Sequence, residues 1–211
     1  MSRTNEVHAP GTWFSTIQRS FEEVPIDAAN GNAISTEEFL QAAGALVTLF
    51  DVIGGVGLAA VKSDLSGNIA KVQERYNKAP AESQTLQDLV RNELKSGQHK
   101  ATEGLLWLVR GLQFTASALR LSINNPSEEL NASFLGAYKA PGGLNTHHGY
   151  LVRKGTEVAI KSGVPYRKDF YSKLGDNQAD VTAALEKEVT ALENVVDILL
   201  KFQATPEAQW K

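Results

Sequence analysis

The 211-residue chain contains no cysteine and one methionine. Without a thiol it has no disulfide scaffold, no thiolate zinc site, no cysteine-ligated iron–sulfur cluster and no sulfur nucleophile. A reducing compartment suits such a chain. Its opening residues, MSRTNEVHAPGTWF, hold no apolar core of the kind a secretory leader needs, so cytosolic residence is the expectation and the sequon Asn131-Ala132-Ser133 is expected to stay unmodified. Long apolar runs are also scarce. The nearest candidate, 39–61, is divided by Asp51 and by Gly44, Gly54, Gly55 and Gly57 into pieces well below the ~20 residues of a membrane span.

Catalytic signatures are equally thin. There is no G-x-S-x-G, and Gly54-Gly55-Val56-Gly57 lacks the Lys and Ser/Thr of a phosphate-binding loop, so it reads as a break between helices. His147 and His148 are adjacent, with only His8 and His99 elsewhere. Neighbours on a helix point about 100° apart and cannot face one ion, so a metal site is a weak reading. Sustained alternation of apolar and polar residues is absent, which leaves an all-α chain.

What is present is 42% hydrophobic and 21% charged residues with a net charge of −3, the composition of a soluble globular protein. A chain of this length buries more core than stability requires, so an internal cavity is affordable. Residues 1–15 are expected to be loose and 16–211 to form a single domain. Ser35 followed by Thr36-Glu37-Glu38 looks like a helix start, with Phe39, Leu40, Ala43, Leu46, Val47 and Phe50 at helical spacing. Further helices are predicted over 58–76, 83–95, 102–123, 128–138 and 147–161. A short basic piece then ends at Leu174, and the clearest repeat, Leu185, Val189, Leu192, Val196 and Leu199, marks a last helix over 180–202.

Three places stand out chemically. On the helix through 58–76, Asp64, Asn68 and Lys71 fall within roughly 60° of one another beside an apolar stripe of Leu58, Val61, Leu65, Ile69, Val72 and Tyr76. An acceptor, an amide and a cationic donor together suit sugar hydroxyls; the plainer alternative is a solvated helix edge. Trp107, in an apolar helix, is either core or an aromatic platform. Between 153 and 173, six basic residues stand against two acidic ones, so this span carries +4 and the remainder −7. Tyr150, Tyr166, Phe170 and Tyr171 are interleaved there, a pattern that suits an anionic bilayer surface. The acidic whole and the lack of a recognised motif argue against nucleic acid.

In order along the chain, Phe50-Asp51, the segment Lys62 to Lys71 (KSDLSGNIAK), Thr85-Leu86-Gln87, Leu106-Trp107-Leu108-Val109-Arg110-Gly111-Leu112, His148-Gly149-Tyr150 and Pro165-Tyr166-Arg167-Lys168-Asp169-Phe170 resemble the glycolipid transfer protein family, and within it the fungal heterokaryon-incompatibility branch. The likeness runs from about Phe39 to the C-terminus. It implies an all-α two-layer helical sandwich enclosing an apolar tunnel. A monomer would bind one glycosphingolipid, such as a monohexosylceramide or lactosylceramide, and move it between membranes without cofactor, metal or covalent chemistry, as a cytoplasmic protein peripherally bound to membranes.

By the same resemblance, Asp64, Asn68 and Lys71 would hydrogen-bond the headgroup sugar, with Asp64 also accepting from the ceramide amide. Trp107 would stack on the sugar and His148 would donate to the ceramide carbonyl. Relatives selective for phosphorylated ceramide carry a cation where this chain has Asn68, so the neutral amide implies a sugar. Tyr150 replaces a Trp common in animal members, and Gly155-Thr156 stand where those have bulkier apolar residues, which implies shallower membrane insertion with Tyr150, Lys154 and Tyr166 as contacts. A glycolipid sensor using the same site is the alternative, and a glycolipid-modifying enzyme is a third, separable because it would return an altered lipid.

Overall fold

The computed structural model describes residues 11–210. Eight α-helices dominate these residues: α1 Thr36–Ile53, α2 Ala59–Lys78, α3 Leu86–Lys95, α4 Lys100–Asn124, α5 Leu130–Lys139, α6 Tyr150–Gly163, α7 Arg167–Leu174 and α8 Gln178–Gln203. Each expected helix is present within a few residues of its expected limits, save that His147 closes a short 3-10 turn and His148 is extended (φ −102°, ψ 140°). The sixth helix therefore begins only at Tyr150, after Gly149. At the expected break, Gly54 and Gly55 take φ of +70° and +78°, which ends α1 and turns the chain into α2. Among the described residues no helix is long and apolar enough to cross a membrane.

The expectation of a loose start over 1–15 divides. Residues 1–10 lie outside the described residues. Residues 12–15, by contrast, are packed: Trp13–Ser15 form a 3-10 turn with Phe14 buried, and Thr12 bridges to Gly175. Apolar Trp13 and Phe14 supply the burial that holds this turn in place. A small hairpin, β1 Ile26–Asp27 with β2 Ala33–Ile34, pairs Ile26 with Ile34 and Asp27 with Ala33. Strands of two residues are too short to leave a period-2 signal.

Buried polar groups fasten these segments to the helices. Gln87 of α3 accepts from Ile34 N (3.0 Å) and donates to Asn32 O (3.1 Å). Glu93 accepts from the N–H groups of Ala101 and Thr102 (2.9 and 2.6 Å), capping α4 with a side chain of α3. Glu188 of α8 accepts from Ser20 Oγ (2.6 Å) and Phe21 N (3.1 Å). Its burial pushes its pKa up to about 7, and nearby Glu22 and Glu23 add to the rise against those two hydrogen bonds.

The core follows the apolar periodicity, with Phe39, Leu49, Leu65, Leu105, Leu112, Leu119, Phe134, Leu185 and Leu192 all inaccessible to solvent. Leu49 and Phe50 are among the buried residues. Helix α4 is the hub, packing on α2, α5, α8 and α3. Two glycines seven residues apart on α4 set its approach to α2. A Cβ on Gly104 would come within 2.9 Å of Lys71 Cβ, and one on Gly111 within 2.6 Å of Leu65 Cδ2. The seam is close because neither position carries a side chain, and it sets the polar edge of α2 against the stretch of α4 that holds Trp107.

Candidate functional site

A cavity of about 640 Å³ opens where α2, α4, α5 and α6 meet. It is lined by Asp64, Asn68 and Lys71 from α2, Trp107 from α4, and His148 from the extended residue before α6. The five side chains singled out in sequence thus share one cavity. The same lining carries apolar Val61, Phe114, Leu144, Val152 and Ala159, so polar and hydrophobic walls share one cavity of the size typical of ligand sites.

The polar residues differ in environment. Asn68 is buried, at 3% exposure, and its Oδ1 accepts from Lys71 Nζ at 3.1 Å, which leaves its amide hydrogens to donate. Asp64 is exposed. It still lines the cavity, one turn before Asn68 on α2. Trp107 and His148 are half-buried.

His148 has a partner that the sequence analysis does not single out. Tyr138 of α5, fully buried, places its hydroxyl 2.9 Å from His148 Nδ1. Burial lowers the His148 pKa from its ordinary value, and the Asp64 carboxylate opposes that shift. The imidazole is therefore neutral at pH 7. Burial also raises the Tyr138 pKa, so the phenol keeps its proton. A phenol that donates to Nδ1 puts the imidazole proton on Nε2, making that nitrogen a donor. Ten residues separate the pair in sequence and Tyr138 reads there as one more apolar-helix aromatic, so no local signal pairs them.

Tyr150, Lys154 and Tyr166 are all exposed, with Lys154 Nζ 6.0 Å from the Tyr150 ring centroid. They belong to a larger patch. Every large, strongly exposed hydrophobic side chain among the described residues lies here: Tyr150, Leu151, Val152 and Val158 on α6, Tyr166 just beyond it, and Val56 in the turn that packs on α6. Val56 and Leu151 are 87% and 83% exposed. Sequence reading names the aromatic and cationic members and passes over Leu151, Val158 and Val56, since isolated aliphatic residues on a helix read as core. Gly57 and Gly163 bring the turn onto α6, where a Cβ on Gly57 would lie 2.2 Å from Ala159 O. Helix α6 consequently has two faces: Val152, Gly155, Thr156 and Ala159 line the cavity, and Leu151, Lys154 and Val158 face outward. Among the described residues no three His, Asp or Glu side chains converge as metal ligands.

Comparison with known proteins bears on what such a cavity beside such a patch is for. The family described as glycolipid transfer protein (GLTP) matches residues 34–176. The chain belongs to the glycolipid transfer protein family. A glycolipid transfer protein of Aureobasidium melanogenum is 48% identical over 200 residues, covering 95% of this chain and 96% of that protein. The crystal structure of the fungal glycolipid transfer protein HET-C2 superposes with a TM-score of 0.89 at 50% identity, covering 94% of this chain and all of that one. A structure of FAPP2, described as selecting simple glycosphingolipids with the same fold, gives a TM-score of 0.80 at 31% identity over 91% of this chain and 94% of its own. The all-α, two-layer glycolipid transfer protein fold expected from the sequence is the fold observed.

Proposed function

We propose that this glycolipid transfer protein family member binds one glycosphingolipid, holds its sugar at the cavity mouth and its ceramide in the apolar interior, and carries it intact between membranes. The observation that carries the reading is the convergence of Asp64, Asn68, Lys71, Trp107 and His148 on one cavity whose α6 wall bears the exposed apolar patch on its other side. Asn68 and Lys71 hydrogen-bond the sugar, Asp64 accepts from sugar hydroxyls and the ceramide N–H, Trp107 stacks on the ring, and His148 donates from Nε2 to the ceramide carbonyl. Tyr150, Lys154, Tyr166 and Leu151 meet the bilayer during loading. The protein acts as a monomer, without cofactor, in the cytosol and transiently at membrane surfaces. Its ligands are simple sugars on ceramide, monohexosylceramide or lactosylceramide.

Extraction moves hydrocarbon chains from one apolar medium to another, a nearly neutral exchange that discriminates poorly among lipids. Selectivity comes from the headgroup. A buried polar group left without its partner costs about 1–3 kcal/mol, and with Asp64 exposed this penalty falls on Asn68 and the His148–Tyr138 pair.

The test is movement of a fluorescent glucosylceramide from donor to acceptor vesicles. Asp64→Val and Trp107→Ala, each with wild-type circular dichroism, are expected to lower the rate tenfold or more. Rates near wild type would refute the site. Mass spectrometry of the recovered lipid is expected to return it unaltered, and a released headgroup would point to an enzyme instead.

A further inference from the structure

Trp107 lines one cavity, and two side chains that pack on its ring line another. The first is the 640 Å³ headgroup cavity. Arg110 and His147, which do not line that cavity, line a second one of about 540 Å³ together with Leu106, Gln113, Gln203 and Trp210. The Arg110 guanidinium carbon lies 4.6 Å from the Trp107 ring centroid, and the His147 ring meets the indole at 6.2 Å and 83°, edge to face. The indole is thus backed by a cation and flanked by an imidazole, with open space beyond both.

Arg75, Arg91 and Arg120 each hold a carboxylate, at 2.7, 2.9 and 2.7 Å. Arg110 is half-buried, has no ion-pair partner among the described residues, and is subject to desolvation alone, which lowers its pKa. A partly desolvated cation without a counter-charge is costly unless another group compensates, and the face of an indole is such a group. The planar guanidinium covers that face in a way that the point charge of a lysine does not. Spacing of three along α4 places Arg110 one turn from Trp107, within reach of its ring.

We infer that Arg110 is a positioning residue for sugar recognition: stacked on the rear face of Trp107, it keeps the indole out of the second cavity and fixes the opposite face toward the headgroup. The inference rests on the reading of Trp107 as the sugar platform. Ring stacking demands a defined plane, and a platform free to turn into 540 Å³ of adjoining space would lose part of its binding to reordering.

Two measurements test it. The chain has three tryptophans, so Trp13→Phe with Trp210→Phe leaves Trp107 as the only reporter. Time-resolved fluorescence anisotropy of that protein, with no lipid added, is expected to show a ring that moves only with the whole molecule. Adding Arg110→Ala is expected to introduce a sub-nanosecond component, and Arg110→Lys to suppress it in part. In the otherwise wild-type chain, Arg110→Ala is expected to weaken glucosylceramide binding about three- to thirty-fold, to leave binding of sugar-free ceramide within twofold, and Arg110→Lys to recover part of the loss.

Unchanged anisotropy in Arg110→Ala, or an equal loss for both lipids, overturns the positioning role. Trp107→Ala separates this from failure of the underlying function. If Trp107→Ala lowers glucosylceramide affinity and Arg110→Ala does not, only the role of Arg110 is wrong. If neither does, the sugar platform itself is misassigned and the role of Arg110 falls with it.

Discussion

Gly104 couples the stability of the protein to its binding site, and Gly104→Ala separates the two contributions. The added Cβ would lie 2.9 Å from Lys71 Cβ and 3.3 Å from Asn68 O, whereas carbon–carbon contacts settle at about 3.5–4.0 Å. Both obstacles sit on or next to the α2 backbone, so no rotamer change relieves them, and α2 must withdraw from α4 by about 0.5–1 Å. Overpacking of this kind costs about 1–3 kcal/mol, against the ~1 kcal/mol that alanine gains over glycine inside a helix. Gly44→Ala in α1 is the control, because nothing stands within 4 Å of its Cβ and it collects the helical gain alone. Calorimetry is expected to place Gly104→Ala about 1–3 kcal/mol below Gly44→Ala, a difference of about 2–10 °C in Tm. Vesicle transfer should fall for Gly104→Ala only, since Asn68 and Lys71 move away from Trp107. Equal melting temperatures and equal transfer rates for the two variants would refute the close-seam account.

Tyr138→Phe removes the hydroxyl 2.9 Å from His148 Nδ1 and is expected to weaken glucosylceramide binding about three- to tenfold; unchanged ring ¹⁵N shifts of His148 would show that the phenol does not set its tautomer. Glu188 holds its proton more tightly when folded, near pH 7 against 4.5 for the ordinary carboxyl. Its contribution is complete below about 4.5, falls as pH rises and is gone above about 7, so Tm should decline across that window by the equivalent of up to about 3 kcal/mol. Glu188→Gln should flatten the decline, and an unaltered profile would exclude this group as its source. Leu151→Asp, on the outer face of α6, should weaken partition onto anionic vesicles tenfold or more, as the loss of a buried leucine worth about 1.5–3 kcal/mol implies, with detergent-dispersed glycolipid bound as before.

Helical periodicity made the helices readable because each buries one stripe: Leu185, Val189, Leu192, Val196 and Leu199 predict α8 from spacing alone, and all are buried. Capping across the chain is invisible locally, as with Glu93, whose carboxylate closes the start of α4. The polar row Asp64, Asn68 and Lys71 was legible as a set on one helix face. Its depth was not, because burial of Asn68 and exposure of Asp64 depend on how closely α4 approaches, and that depends on Gly104 and Gly111. Partnerships between elements, Tyr138 with His148 above all, leave no trace in the spacing of either residue. The basic aromatic span announced a surface, but its aliphatic members needed the fold to show that they face outward.

Helix α6 has one face on the cavity and another on the exposed apolar patch, and under the proposed function this bears on the timing of delivery. If that helix is also the one that meets the bilayer, a lipid held behind it would leave when the helix meets a surface and stay while the carrier diffuses. Throughput then scales with the frequency of carrier–membrane encounters, so acceptor concentration, surface charge and lipid packing set the pace of exchange, and the journey through water contributes little to it.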